Sequence, residues 1–403
     1  MDPHDSSATD LRDYPFDKFA GVLSDELAKV VESEPVRRVR LPSGTAAWLV
    51  TGYDEVCQVL TDPRITRMVG RDGPRLGVSS MAPEAPRRSI NMDGPPHTAL
   101  RRLASRPFSA RRMEALRPRV QEIADELIDA LIAGGGPADL MSGFAQPLPM
   151  RVICELLGVP PEDRSRFSAW SDAILSVTAH TPEQVREAMI ALAGYLHAAV
   201  AAKRAAPGDD LLSHWIAAQA EDEELTDQEL VELAVSVLIA GHETTVNAIG
   251  TGMVVLLRHP EQLDALRADP SRTERVVEEL LRYAMSSDLF RIMVALEDVE
   301  VGGTPVRAGD AVMPLPFAAN FDPRKFSCPR DFDPDRAEDA HLTFGFGAHF
   351  CLGAALARLE LGIAFTTLLA RLPGLRAAGD PGSVPWRSGL AVSGPEKVDI
   401  TWS

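Results

Sequence analysis

The sequence predicts a mainly α fold with a minor β region, and three observations carry that reading. Apolar residues recur at helical spacing over long segments, strand signals are few and short, and one helical pattern runs for about thirty residues, roughly 45 Å at 1.5 Å each. Helices are expected near 53–61, 97–107, 112–133, 146–157, 183–204, 227–258, 261–283 and 353–371. The helix at 97–107 is entered through Pro95 and Pro96, which preset the backbone of a first turn. The helix at 227–258 opens on Thr226 with Glu229 three residues later, a capping box. It continues through Leu230, Leu233, Ala234, Val237 and Leu238 to Leu257 and stops before Pro260. The last helix follows from Ala354-Ala355-Leu356-Ala357-Arg358-Leu359-Glu360-Leu361, a run of strong helix formers. Val36 to Leu41 and Ala46 to Thr51, joined through Pro-Ser-Gly, read as a hairpin, with further short strands around 291–314 and 388–402.

A length of 403 residues would permit two or three domains, yet nothing resembling a linker interrupts the chain and no repeat is visible. Residues 1–15, rich in Asp, Ser and His, are expected to form a loose tail before a single domain over 16–403. No run of eighteen apolar residues occurs and the N-terminus is acidic, so a cytoplasmic protein without a membrane anchor is expected. The net charge of −17 argues against nucleic acid or an anionic membrane as partner. Arginine outnumbers lysine and alanine is abundant, which suggests a GC-rich bacterial genome. Cys57 and Cys154 lie in apolar helical patterns typical of ordinary buried thiols, and Cys328 in a loop beside proline.

Cys351 is different. The run Phe344-Gly345-Phe346-Gly347-Ala348-His349-Phe350-Cys351-Leu352-Gly353 delivers one thiol from a glycine-spaced loop to the start of a helix. Gly345 and Gly347 allow torsions that a side chain would forbid, Gly353 leaves room for a flat cofactor, and the N–H groups of a helix start favour a thiolate. A structural cysteine in a glycine-rich turn is the plain alternative. The run resembles the haem-binding signature Phe-Gly-x-Gly-x-His-x-Cys-x-Gly of the cytochrome P450 family and matches each fixed position. The resemblance implies that family's fold, with haem b buried between a long central helix and the cysteine loop and its helix. It further implies Cys351 as the thiolate metal ligand, with Phe344, Gly345, His349 and Gly353 at the cofactor.

Three other stretches support the resemblance. Ala240-Gly241-His242-Glu243-Thr244-Thr245 places a carboxylate and a glycine inside an apolar helix, two local violations that point to function. It is similar to the P450 oxygen-activation motif, in which Glu243 and Thr244 match the catalytic acid–alcohol pair and Ala240 with Gly241 opens space for dioxygen, the co-substrate. Glu279 and Arg282 lie three apart on one helix face and match the family's Glu-x-x-Arg, with Arg336 as the second arginine of that structural network. His97 and Arg101, four apart, resemble the propionate clamp. One position departs from the family: its usual strand arginine falls on Met293, whereas Arg291 lies two residues earlier on the same face, a displacement of about 6 to 7 Å.

The resemblance implies a haem-thiolate monooxygenase that hydroxylates or epoxidises a small organic molecule, with a bulky secondary metabolite favoured over a terpene or fatty acid. By the family's layout Ser236, Ile239, Ala240, Leu289, Phe290 and Leu390 line the substrate pocket, together with the loop 67–91 and helices near 165–200. A monomer is expected. Electrons are expected from a ferredoxin and its reductase, since the chain leaves no room for a flavin domain, with Arg111, Arg112 and Arg358 as docking candidates. A peroxide-driven hydroxylase and a non-catalytic haem sensor are the alternatives.

Overall fold

The long helix Asp227–Arg258 runs through the middle of the molecule, with most of its side chains buried. Its start is reciprocally capped: Glu229 N donates to Thr226 Oγ1 at 3.2 Å and Thr226 N to Glu229 Oε2 at 2.8 Å. Around it pack the helices Pro147–Leu157, Pro182–Ala205, Thr273–Ala284 and Ala354–Arg371. This computed structural model describes residues 11–15, 21–41, 44–67, 92–176, 179–220, 225–284, 292–338, 340–390 and 392–403. The pocket candidates Leu289 and Phe290, the haem candidate Arg291, and residues 68–91 of the expected pocket loop lie outside the described residues.

Two expected helices are divided. The segment 112–133 breaks at Leu116 into Ala110–Ala115 and Arg117–Gly134. The segment 261–283 breaks into Pro260–Ala268, a 3₁₀ turn Pro270–Arg272 and Thr273–Ala284. Pro270 causes the second break, because it lacks an N–H and its ring clashes with the preceding turn. Helices Asp25–Ser33 and Leu211–Gln219 were not anticipated and are capped by the Ser24 and Asp210 side chains, whereas Arg164–Ile174 falls within the helices expected near 165–200. The helix Pro182–Ala205 is long and apolar enough by length and composition to cross a membrane. Here its Leu192, Leu196 and Val200 are buried in the same apolar cluster as Leu233 and Val237 of the long helix.

Among the described residues the main sheet has six strands in the order Arg12–Asp13, Val36–Arg40, Ala46–Val50, Ala311–Pro314, Met293–Ala295 and Ile65–Thr66. The expected hairpin forms its antiparallel centre, with Val36 opposite Val50, and Ala46–Val50 runs parallel to Ala311–Pro314. The loose tail expected over 1–15 is tied down at its end: Arg12 and Asp13 pair with Val39 and Arg40, and Tyr14 is buried. The aromatic ring, outweighed in the composition by polar neighbours, provides the anchor. Cys154 is buried and burial pushes its thiol up to about 12; Cys57 is half-buried, its thiol up to about 11 for the same reason.

Candidate functional site

The cysteine loop takes its shape from two glycines. Gly345 and Gly347 have φ of +75° and +72°, the left-handed region that side chains disfavour, and a Cβ on Gly347 would lie 2.8 Å from Thr61 Cγ2. The turn is closed by Cys351 N donating to Phe344 O at 2.7 Å and by Gly345 N donating to Leu342 O at 2.8 Å. Phe344 is buried beneath the Arg358 guanidinium, 4.5 Å above its ring, while Phe346, Phe350 and Cys351 are exposed. Cys351 stands three residues ahead of the helix rather than in its first turn, which begins at Ala354 with Gly353 as N-cap. Gly353 has an ordinary φ of −88°, and a Cβ there would meet no atom within 4 Å. Neither torsion nor packing among the described residues demands a glycine, so the open space beside it suits a group that is not protein.

A face of the long helix is uncovered in the middle of its length. Ser236, Ile239 and Thr244 are only half-buried and Ala240 is exposed, although the residues on the opposite face are buried. Their spacings of three and four residues put them on one stripe. Thr244 Oγ1 donates to Ala240 O at 2.8 Å. A Cβ on Gly241 would lie 2.7 Å from Ile153 Cδ1, so the helix packs closely against Pro147–Leu157 at this point. Glu243 points to the other side and is buried, with His242 Nε2 at 3.3 Å and Arg387 Nη1 at 3.5 Å. Burial works against its charge, yet His242 and Arg387 hold the carboxyl below its usual range. Leu390 is half-buried and bridges to Ser176 beyond helix Arg164–Ile174.

His97, Arg101 and His349 come together. The His97 ring stacks on that of His349 with centroids 4.1 Å apart, and Arg101 Nη2 donates to Phe350 O, joining helix Gly94–Ser105 to the cysteine loop. His97 is buried and its Nε2 has no hydrogen-bond partner among the described residues. Burial, then the charges of His349 and Arg101, push its pKa down to about 4, so the ring is neutral at pH 7. Sequence reasoning missed Asp93, whose carboxylate lies 2.8 Å from His349 Nε2 and accepts from Thr66 Oγ1 and Arg67 N. Its place at the N-cap of a proline-led helix was the available signal.

Glu279 and Arg282 form a fully buried bidentate pair at 2.7 and 2.8 Å, and Arg336 Nε adds a third contact to Glu279 at 2.9 Å. Arg282 also donates to the carbonyls of Asn320, Pro329 and Asp331, so nearly all its donors are used. One position earlier, Glu278 accepts from Arg358 at 2.7 and 2.8 Å and faces His341 Nε2 at 3.1 Å. Arg358, expected as a docking residue, is therefore engaged in an internal pair; Arg112 likewise contacts Asp209 and His214. Against the cost of burial, Arg358 and His341 pull the Glu278 pKa down to about 2 from an ordinary 4.5. A depressed folded pKa means stabilisation that is complete above 4.5 and vanishes as pH falls through 2. The difference in melting temperature between the unchanged protein and Glu278→Gln is thus expected to narrow as pH is lowered from 6 towards 3, and a constant difference would contradict this pairing.

The residues present fit a haem: an exposed thiol at the head of a tight loop, an open space at Gly353, an uncovered helix face, and an orphaned buried nitrogen on His97. Leu352 packs against the apolar cluster to which Ala234 and Leu238 of the long helix also belong.

Comparison with known proteins agrees with this geometry. The profile of the family described as Cytochrome P450 matches residues 138–373. Nocardicin C N-oxygenase of Nocardia uniformis subsp. tsuyamanensis is 44% identical over 398 residues, covering 98% of this chain and 99% of that protein. Mycinamicin IV hydroxylase/epoxidase of Micromonospora griseorubida is 41% identical over 401 residues, covering 98% and 100%. Among solved structures, that of SgvP, titled a putative thioether synthase involved in the tailoring step of griseoviridin, superposes with a TM-score of 0.93 at 42% identity, covering 98% of this chain and 100% of that one. Sequence motifs, fold and relatives converge, and this chain belongs to the cytochrome P450 family.

Proposed function

We propose that this cytochrome P450 monooxygenase hydroxylates or epoxidises a bulky natural-product intermediate, with Cys351 as its thiolate ligand and Glu243 and Thr244 as its proton-handling pair. The observation that carries the reading is the exposed Cys351 in a loop bent by Gly345 and Gly347, with space left open at Gly353. The names of the nocardicin and mycinamicin relatives support the substrate class and the reaction. When bound, haem supplies one-electron redox chemistry and dioxygen activation, which an anionic sulfur ligand favours. The chain supplies the rest. Cys351 Sγ would hold the iron, while His97, Arg101 and His349 would hold the propionates by charge-assisted hydrogen bonds. The uncovered stripe Ser236, Ile239, Ala240 and Thr244, with Leu390, would orient the substrate and exclude water.

Thr244 Oγ1 would hold a water or an oxygen atom in place by exchanging its bond to Ala240 O, and Glu243 would carry protons inward from solvent. The electron donors we propose are a ferredoxin and its reductase, acting on a monomer in the cytoplasm. With Arg112 and Arg358 internally paired, Arg111 is the remaining candidate from the sequence for donor docking.

Thr244→Ala tests the proton-handling pair. Electron consumption should continue while product falls by about 10²-fold, the lower range for general acid–base effects, with the missing electrons recovered as hydrogen peroxide. Full coupling in this variant would remove Thr244 from the reaction. Substrate class is read separately by titrating candidate compounds and following the Soret spin-state shift, where bulky macrocyclic or peptidic compounds should shift the band and short fatty acids should not.

A further inference from the structure

Glu243 is surrounded by groups from three elements. On its own helix, His242 Nε2 lies 3.3 Å from Oε1; from the C-terminal segment, Arg387 Nη1 lies 3.5 Å from Oε2. Arg387 turns its other amino group, Nη2, to Asp172 Oδ1 of helix Arg164–Ile174 in a close hydrogen-bonded ion pair. One guanidinium therefore serves two carboxylates unequally, hydrogen-bonded to the outer one and only in charge contact with the inner one. The side chains grade outwards, from 7% exposed at Glu243 through 17% at Arg387 to 39% at Asp172. His242 is fixed separately: its Nδ1 lies 2.6 Å from Leu238 O, and because a carbonyl only accepts, Nδ1 must carry a hydrogen. Its Nε2 is left facing the carboxylate. The bridge between Ser176 and Leu390 fastens the end of helix Arg164–Ile174 to the C-terminal segment, so Asp172 and Arg387 belong to one joined unit.

We propose that Asp172 and Arg387 are positioning residues for Glu243: ionised Asp172 holds Arg387 back from the inner carboxylate, leaving Glu243 able to accept and release a proton, and neutral Asp172 lets Arg387 close on Glu243 and arrest it. This inference rests on Glu243 being the proton carrier. An arginine side chain does not deprotonate in a protein, so Arg387 conducts nothing and acts only through where it sits. The two carboxyls are biased in the sense the proposal needs. Burial raises the pKa of Asp172 above the usual aspartate value despite Arg387, whereas His242 and Arg387 overcome burial at Glu243 and hold its pKa low. When Asp172 takes up a proton, its hold on the guanidinium is lost and Arg387 passes to Glu243. Protonation of Asp172 therefore weakens proton delivery through the position of Arg387.

The test uses the full chain loaded with haem and reads the Glu243 carboxyl directly, as its infrared C=O stretch against pH, with Glu243→Gln identifying the band. Arg387→Gln is expected to move the midpoint upward, because the inner carboxylate loses its cation. Asp172→Asn is expected to move it downward, because Arg387 is no longer shared. Arg387→Lys keeps the charge, should stay close to the unchanged protein, and guards against a folding defect. Peroxide release should rise severalfold in Asp172→Asn, with an increased solvent isotope effect on product formation. Coincident midpoints in the two neutral variants and the unchanged protein would overturn the proposal. Separated midpoints together with full coupling in Glu243→Gln would instead leave the charge exchange standing and remove Glu243 from proton delivery.

Discussion

Cys351→His is expected to yield a protein whose reduced carbon monoxide complex lacks the far-red-shifted Soret band and whose turnover falls to background. The band arises from a charged sulfur pushing electron density onto the iron, which a neutral imidazole does far less. Geometry adds to the electronic effect. The backbone at this position is held by Cys351 N donating to Phe344 O and by Arg101 donating to the neighbouring Phe350 O. The loop cannot draw back to make room for a longer ligand, and the imidazole would reach into the space that Gly353 leaves open. Cys328→Ser, on another exposed loop, should leave the spectrum unchanged. An unaltered Soret band in Cys351→His, or its loss in Cys328→Ser, would place the iron ligand elsewhere.

Arg282→Ala should destabilise the folded protein by about 3 to 5 kcal/mol, the cost of leaving a buried charge without its partner. Glu279 would keep Arg336 but lose both bonds from Arg282, and the carbonyls of Asn320 and Pro329 would lose this donor in an interior site, while that of Asp331 keeps Arg336. Chemical denaturation should show the loss as a lower midpoint with an unchanged slope. Asn320 also accepts from Leu342 N and donates to Thr343 Oγ1, immediately before the cysteine loop. The variant should therefore also release haem more readily. By contrast, removing the exposed Arg117, which pairs with Glu114 across the break at Leu116, should scarcely move the midpoint. A midpoint equally insensitive to Arg282→Ala would show that this network contributes nothing to the fold.

What the sequence disclosed and what it hid divide along physical lines. Positive φ, capping and pairing three apart are local, so Gly345, Gly347, the Thr226–Glu229 capping box and Glu279–Arg282 could all be read from neighbouring residues. Contacts between distant segments carry no such signature. The partner of His349 is Asp93, Glu243 is faced by Arg387, and Arg358, expected at a docking surface, is held by Glu278. Gly241 was legible as an exception, but its close contact with Ile153 was not, because Ile153 lies on another helix. Pro270 was in plain view, yet the apolar period continued across it and suggested one helix where the chain makes two.

The parallel pairing of Ala46–Val50 with Ala311–Pro314 has a consequence for synthesis. Flanked on its other edge only by the two-residue strand Arg12–Asp13, the early hairpin is close to a lone ribbon, which is marginal in water, and it must wait for Ala311–Pro314. On the ribosome that strand, which begins at position 311, emerges long after the hairpin that ends at position 50, and the cysteine loop follows shortly after. The nascent protein thus completes its sheet just before it acquires the thiol that would take up iron.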